Sequence, residues 1–227
     1  MRSFTTILLG ALMLFVSMET IAKGQVATYK VTITNLTPGQ TFTPQLLTTH
    51  SGHVRLFELG KPSTTSLEIL AEAGDTSHLT NELLAAPDQV SMAVTVPGLL
   101  GPGQSVSYEV TTSRQHQYLS MASMLIPTND TFVAVDRLRL PHRGSRTTLA
   151  LAYDAGTEAN DQNCLNIPGP RCAGTGHSPG PNEGDEGFVH VSNGFHDLAD
   201  ATEGEVLGPR VYDWRNPVAR IVVKRIY

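Results

Sequence analysis

Short runs of alternating apolar and polar residues recur along most of this chain, and glycine or proline turns separate them. Ala27-Thr-Tyr-Lys-Val-Thr-Ile-Thr-Asn35 is the clearest example. A period of two puts every second side chain on one face, the mark of a half-buried strand. Comparable runs occupy 53–59, 89–96, 105–112, 117–126, 131–138, 146–153, 187–191 and 218–226. Pro38-Gly39, Pro97-Gly98 and Gly101-Pro-Gly103 lie among the turns between them. Many short strands with frequent turns predict an all-β, antiparallel sandwich of about eight strands. The last run reaches the C-terminus, so the domain is expected to close with a pairing strand.

One segment departs from this pattern. Within 63–86, Leu67, Leu70 and Ala71, then Leu79, Leu83 and Leu84, fall at helical spacing, and Gly74-Asp75-Thr76-Ser77 divides the two groups. The spacing predicts two short helices packed against one end of the sandwich, with Asp75 or Ser77 as N-cap of the second.

The first residues read as an export signal over 1–23. Arg2 supplies the positive start, Ile7-Leu-Leu-Gly-Ala-Leu-Met-Leu-Phe-Val16 an apolar centre, and Thr20-Ile-Ala22 small residues near a cleavage point. The apolar run is about ten residues, short of the roughly 20 that a spanning helix needs. A retained N-terminal anchor is the alternative; without a cysteine in the segment, a lipid anchor is disfavoured. The expected product is one domain over 24–227, secreted or periplasmic, monomeric, with no transmembrane segment after signal removal.

Of 227 residues, 40% are hydrophobic and 16% charged, which gives material for a core beneath a lightly charged surface. The net charge of −5 includes no basic block and argues against nucleic acid as a partner. Arg137, Arg139, His142, Arg143 and Arg146 come nearest to a basic patch and read as a solvated strand-and-turn surface.

Residues 158–187 form a long segment rich in Gly, Pro and Asn, of a length that is usually functional or mobile. Its Asp161, Glu183, Asp185 and Glu186 would either supply oxygen ligands or form a solvated acidic flap. Cys164 and Cys172 flank a Pro-Gly turn inside it, and in an exported protein such a pair is expected to form a local disulfide. Zinc held by these cysteines with His177 would need a different spacing.

Two acidic positions stand where apolar runs give way to turns: Asp130 before Thr131-Phe-Val-Ala-Val135, and Asp154 after Arg146–Tyr153. Strand ends that bring carboxylates to one sheet edge suit a hard cation. The plainer alternative is a pair of turn residues whose side chains bond nearby backbone amides. Gly156 would let the chain bend so that Glu158 faces back toward Asp154.

Ser123-Met-Leu-Ile-Pro-Thr-Asn-Asp130-Thr-Phe-Val-Ala-Val135 resembles the spondin-N (F-spondin) motif in which Pro-Ser-Pro-Asp-Trp precedes a Phe-Val-Gly-Val strand. Tyr153-Asp-Ala-Gly-Thr-Glu158 is similar to that family's Tyr-Asp-Ala-Gly-Thr-Asp signature, and Ala71-Glu-Ala-Gly-Asp75 resembles its helical insert. The resemblance runs over roughly residues 25 to 227. It implies a C2-like antiparallel β-sandwich that binds Ca2+ through carboxylates at one end. Carried over by position, the metal ligands would be Asp130, Asp154 and Glu158, with Glu109 as a fourth that requires a small gap. Calcium takes six to eight oxygens in irregular geometry, which loop carboxylates and carbonyls can meet; magnesium is stricter. Two departures stand out: Asn129-Asp-Thr131 replaces Pro-Asp-Trp, and Glu158 replaces an Asp. The stand-alone chain looks like the spondin-domain proteins of bacteria.

No His-Glu-x-x-His or Gly-x-Ser-x-Gly motif is present. His190, Ser192 and His196 form the best catalytic-looking group, and a secreted hydrolase built on them is one alternative function. A purely structural envelope protein is another. The leading expectation is a non-enzymatic, calcium-binding adhesion or surface-interaction protein with an unknown protein or carbohydrate ligand.

Overall fold

The structure is a computed structural model and describes residues 26–195 and 204–227. The expected signal segment and His196 lie outside the described residues.

Among the described residues, ten strands and three helices follow in chain order. They are β1 (Ala27–Asn35), β2 (Thr41–Phe42), β3 (Gln45–His50), α1 (Thr65–Ala73), α2 (Ser77–Leu84), β4 (Val90–Val96), β5 (Ser105–Thr112) and β6 (Tyr118–Ile126). After them come β7 (Thr131–Arg139), β8 (Ser145–Asp154), β9 (His190–Val191), the single-turn α3 (Pro209–Tyr212) and β10 (Ala219–Arg225). All pairings are antiparallel, and the main path runs β4-β3-β6-β7-β8-β10-β1-β5. β2 adds to β6, and β9 adds to β8. The sheet folds over on itself: β5, at one end of the path, lies against β3 and β4 at the other, where Thr49 Oγ1 donates to Thr111 O at 2.7 Å. The expected all-β antiparallel class is thus present as a near-barrel sandwich.

Inside the fold, Val31, Ile33, Phe42, Leu47, Leu119, Met121, Leu125, Val133 and Val223 form the main core. A second core lies on the outer face of β3, β6 and β7, where α1 and α2 cover Leu46, Ala122, Phe132 and Ala134 with Leu67, Leu70, Leu79 and Leu83. This double coverage explains why β6 is buried almost end to end and carries a near-continuous apolar run.

Both helices form where the leucine spacing predicts them, but they cover a face of the sheet rather than its end. Thr64 caps α1 by accepting from the Leu67 amide, and Gly74 ends it in the left-handed conformation. The N-cap of α2 is Thr76, not Asp75 or Ser77, although Asp75 Oδ1 accepts from the Ser77 amide at 2.8 Å.

Two strand assignments change. Residues 53–59 are turn and coil; Val54 and Phe57 pack against the helix-side core, and the Leu56 amide donates to Asp136 Oδ1. The third strand is instead Gln45–His50, which is buried at every position and so shows no alternation. Of 187–191, only His190 and Val191 pair.

Residues 158–187 are not a loose flap. Ile167 is fully buried in the main core, and Cys164 and Cys172 are joined by a disulfide. The Cys164 amide donates to Glu205 O, and Arg171 ion-pairs with Glu205. The segment therefore crosses from the sheet rim to α1, which brings its acids and histidines to the end of β7 and β8.

Candidate metal centre

β7 begins and β8 ends side by side at this rim, with Thr131 opposite Asp154 and the Ala155 amide donating to Asp130 O at 3.2 Å. That register brings Asp130 and Asp154 together, and both are essentially unexposed. Asp130 Oδ2 accepts from the Thr157 amide at 2.7 Å, the Glu158 amide at 3.1 Å and the Thr157 hydroxyl at 3.2 Å. Its other oxygen, Oδ1, is buried with no hydrogen-bond partner. Burial, and then the neighbouring Asp154 carboxylate, hold Asp130 well above the usual carboxylate range.

Asp154 makes the turn bond expected of an aspartate: Oδ1 accepts from the Gly156 amide at 2.9 Å. Its Oδ2 accepts from Asn160 Nδ2 at 2.9 Å, and the same amide donates to Glu186 Oε1 at 3.1 Å. His190 Nε2 stands 3.4 Å from Asp154 Oδ1 and 3.9 Å from Glu186 Oε2. Among the described residues, no Lys or Arg ion-pairs with Asp130 or Asp154, and the basic side chain within reach is the His190 imidazole.

Gly156 is fixed by two independent constraints. Its φ is +67°, and a Cβ there would sit 2.3 Å from Phe188 O. Only glycine lets the chain after β8 turn this tightly beneath the returning segment.

Glu158 follows that turn, but its carboxylate points away from the aspartate pair. Its backbone amide serves Asp130, whereas burial, and next the nearby Glu72, push its carboxyl up to about 8. Glu72 is itself fully buried and raised, chiefly by that burial, although the Ser178 amide donates to its Oε2 at 2.8 Å. Glu158 also lines a pocket of about 160 Å³ with Asn129, Asp161, Asn166, Ser178, Asn182 and Glu183. The rim thus holds two adjoining acidic groups: Asp130, Asp154, Glu186 and His190 on one side of Thr157, and Glu158, Glu72, Glu68 and His177 on the other.

Glu109 belongs to neither. It is exposed on β5 and pairs in register with Lys30, which faces Lys224, which in turn faces Ser145 at the start of β8. Asp154 stands at the far end of that strand.

The alternating pattern and the acids at its ends locate Asp130, Asp154 and Glu158, but they give no sign of Glu68 and Glu72. Those two sit four apart on α1, a spacing that places both on one helix face. It is the only sequence signal that could have drawn attention to them. Ser192 Oγ accepts from the Gly194 amide at 3.4 Å, His190 Nδ1 faces Val191 O, and among the described residues no hydrogen bond joins Ser192 to His190.

Fold and rim together define an antiparallel β domain with buried, clustered carboxylates at one edge. Residues 28–162 match the family model of the spondin N-terminal domain (Spondin_N). That match spans more than half of the chain, which therefore belongs to the spondin N-terminal domain family. No curated protein matches it significantly. Asp130, Asp154 and Glu158 lie within the matched residues, as do α1 and α2; His177, Glu186 and His190 lie beyond them. No helix among the described residues is long and apolar enough to cross a membrane.

Proposed function

We propose that this chain is an exported, calcium-binding spondin module that acts as a non-enzymatic adhesion or surface-interaction protein. The observation that carries the reading is Asp130: a fully buried carboxylate beside a second buried carboxylate, with one oxygen that no donor satisfies. A buried anion in that setting is costly unless a cation compensates it. Asp130 and Asp154 would hold the ion, and Glu186, linked to Asp154 through Asn160 Nδ2, is the nearest further carboxylate. The residues fit a hard cation of irregular geometry better than magnesium. Glu158 contributes through its amide to Asp130, and its carboxylate joins only by turning from Glu72.

Export is supported by the disulfide, which persists in oxidising compartments, and by the signal-like pattern over 1–23. Both support a secreted or periplasmic location. The partner is a protein or carbohydrate that a surface loop recognises, and with a net charge of −5 it is not nucleic acid. Membership of the spondin family supports the adhesive role.

The test is thermal unfolding of the purified protein in calcium and in chelator. Calcium at ~100 times its Kd stabilises a native-only binder by about 2.7 kcal/mol. For a chain of this size that is a rise of roughly 5–10 °C. Asp154→Asn should remove most of the rise. Identical curves in calcium and chelator for the unmodified protein would overturn the proposal.

A further inference from the structure

We propose that Glu68, Glu72 and His177 form a second cation site, one that takes a divalent transition-metal ion of the zinc class and fastens the 158–187 segment to α1. The site shares no side-chain ligand with the Asp130–Asp154 pair, so it stands or falls independently of the calcium reading.

Glu68 and Glu72 project from one face of α1, where two like charges four residues apart repel in the absence of a cation. His177 comes down on them from the long segment. Its Nε2 is 3.1 Å from Glu68 Oε1 and 4.0 Å from Glu72 Oε2, and one donor atom from each residue lies within 4.8 Å of the others. Ligands about 2.0–2.1 Å from a tetrahedral ion stand roughly 3.3 Å from one another, so the three side chains need little movement to close on one. An imidazole nitrogen with two carboxylates suits zinc and its neighbours, whereas calcium prefers oxygen alone.

A second observation points to a ligand. Glu72 is completely buried, yet its Oε1 has no hydrogen-bond partner. The Thr157 hydroxyl approaches this carboxylate but donates to Asp130 Oδ2. The two oxygens nearest His177 are already oriented by the backbone: the Ser178 amide donates to Glu72 Oε2 at 2.8 Å and the Gly180 amide to Glu68 Oε1 at 3.3 Å. Such outer contacts are what hold ligands in place around an ion. Glu158 stands next to Glu72.

The simpler arrangement is a protonated imidazole bridging two carboxylates, which needs no metal. Calorimetric titration of the calcium-saturated full chain with zinc chloride separates the two. The proposal predicts a zinc equivalent that His177→Ala removes or weakens by more than about tenfold. Asp154→Asn and His190→Ala should retain it. His177 is part-exposed, and the melting curve of the metal-free variant checks its fold. Zinc should also slow proteolysis across 175–187 in the unmodified protein and not in His177→Ala. Absence of zinc binding, equal binding by His177→Ala, or loss of all zinc through His190→Ala would each overturn it.

Discussion

Asp130 has two unlike oxygens, one with three donors and one with none; burial and the neighbouring Asp154 outweigh those donors, raise its carboxyl and so shape the protein's response to pH. The folded state raises the pKa values of Asp130, Glu72 and Glu158, the last to about 8, so between about pH 4.5 and 8 it binds more protons than the unfolded chain. Stability of the metal-free protein therefore falls as pH rises through that window. Melting temperatures in chelator should decline from pH 5 to 8, and calcium should flatten the decline by compensating the carboxylates near Asp130. Asp130→Asn should melt higher than the unmodified protein in chelator at pH 8, because the amide can still accept from Thr157 and Glu158 and loses its charge. It should show no calcium response; a decline equally steep in calcium and chelator would count against this account. The sequence marks Asp130 and Asp154 because each bounds an apolar run. Glu72 reads as an ordinary helix residue, and its pairing with His177 joins positions too far apart for any local pattern; Glu68 and His177 are 109 residues apart.

α1 carries two burdens, since it covers the outer core with one face and presents Glu68 and Glu72 on another. Leu70 is fully buried between the helix and the sheet, so Leu70→Ala should cost about 2–5 kcal/mol through lost burial and the cavity left behind. Thr64→Ala removes only the cap to the Leu67 amide and should cost about 1 kcal/mol. Denaturant melts of the two variants test the order. A loss at Thr64 as large as that at Leu70 would mean that the cap, not the packing, holds the helix. The helices were legible because a 3.6-residue apolar stripe survives when one face is solvated. Gln45–His50 was not, because a strand covered by α1 and α2 on one side and the main core on the other has no polar face to alternate with. Residues 53–59 misled in the opposite way: Val54 and Phe57 are apolar because they cover a core, and no neighbouring strand offers them a ladder.

Runs of alternation and turn residues specify the all-β class, yet they say little of strand order. β8 pairs with β10, and β10 with β1, so the first and last strands are joined across nearly the whole described sequence by pairings that no local pattern announces. The 158–187 segment is likewise part of the rim. Its anchors are Ile167 in the core, the Glu205 contacts, the amides of Ser178 and Gly180 on α1, and the Cys164–Cys172 disulfide. Replacing both cysteines with serine frees a loop short enough that the chain-entropy cost is about 2–3 kcal/mol. The melting point should therefore fall by roughly 5–10 °C. The other anchors remain, so the segment should stay docked in the folded state but with a wider spread of conformations. Glu186 follows the disulfide in the chain, and a calcium ion that draws on it must then supply more of the ordering itself. The double variant should accordingly bind calcium more weakly, and titrations followed by melting temperature in both proteins measure the difference. A lowered melting point with undiminished calcium affinity would mean that the buried Ile167 and the α1 contacts alone set the geometry of the rim.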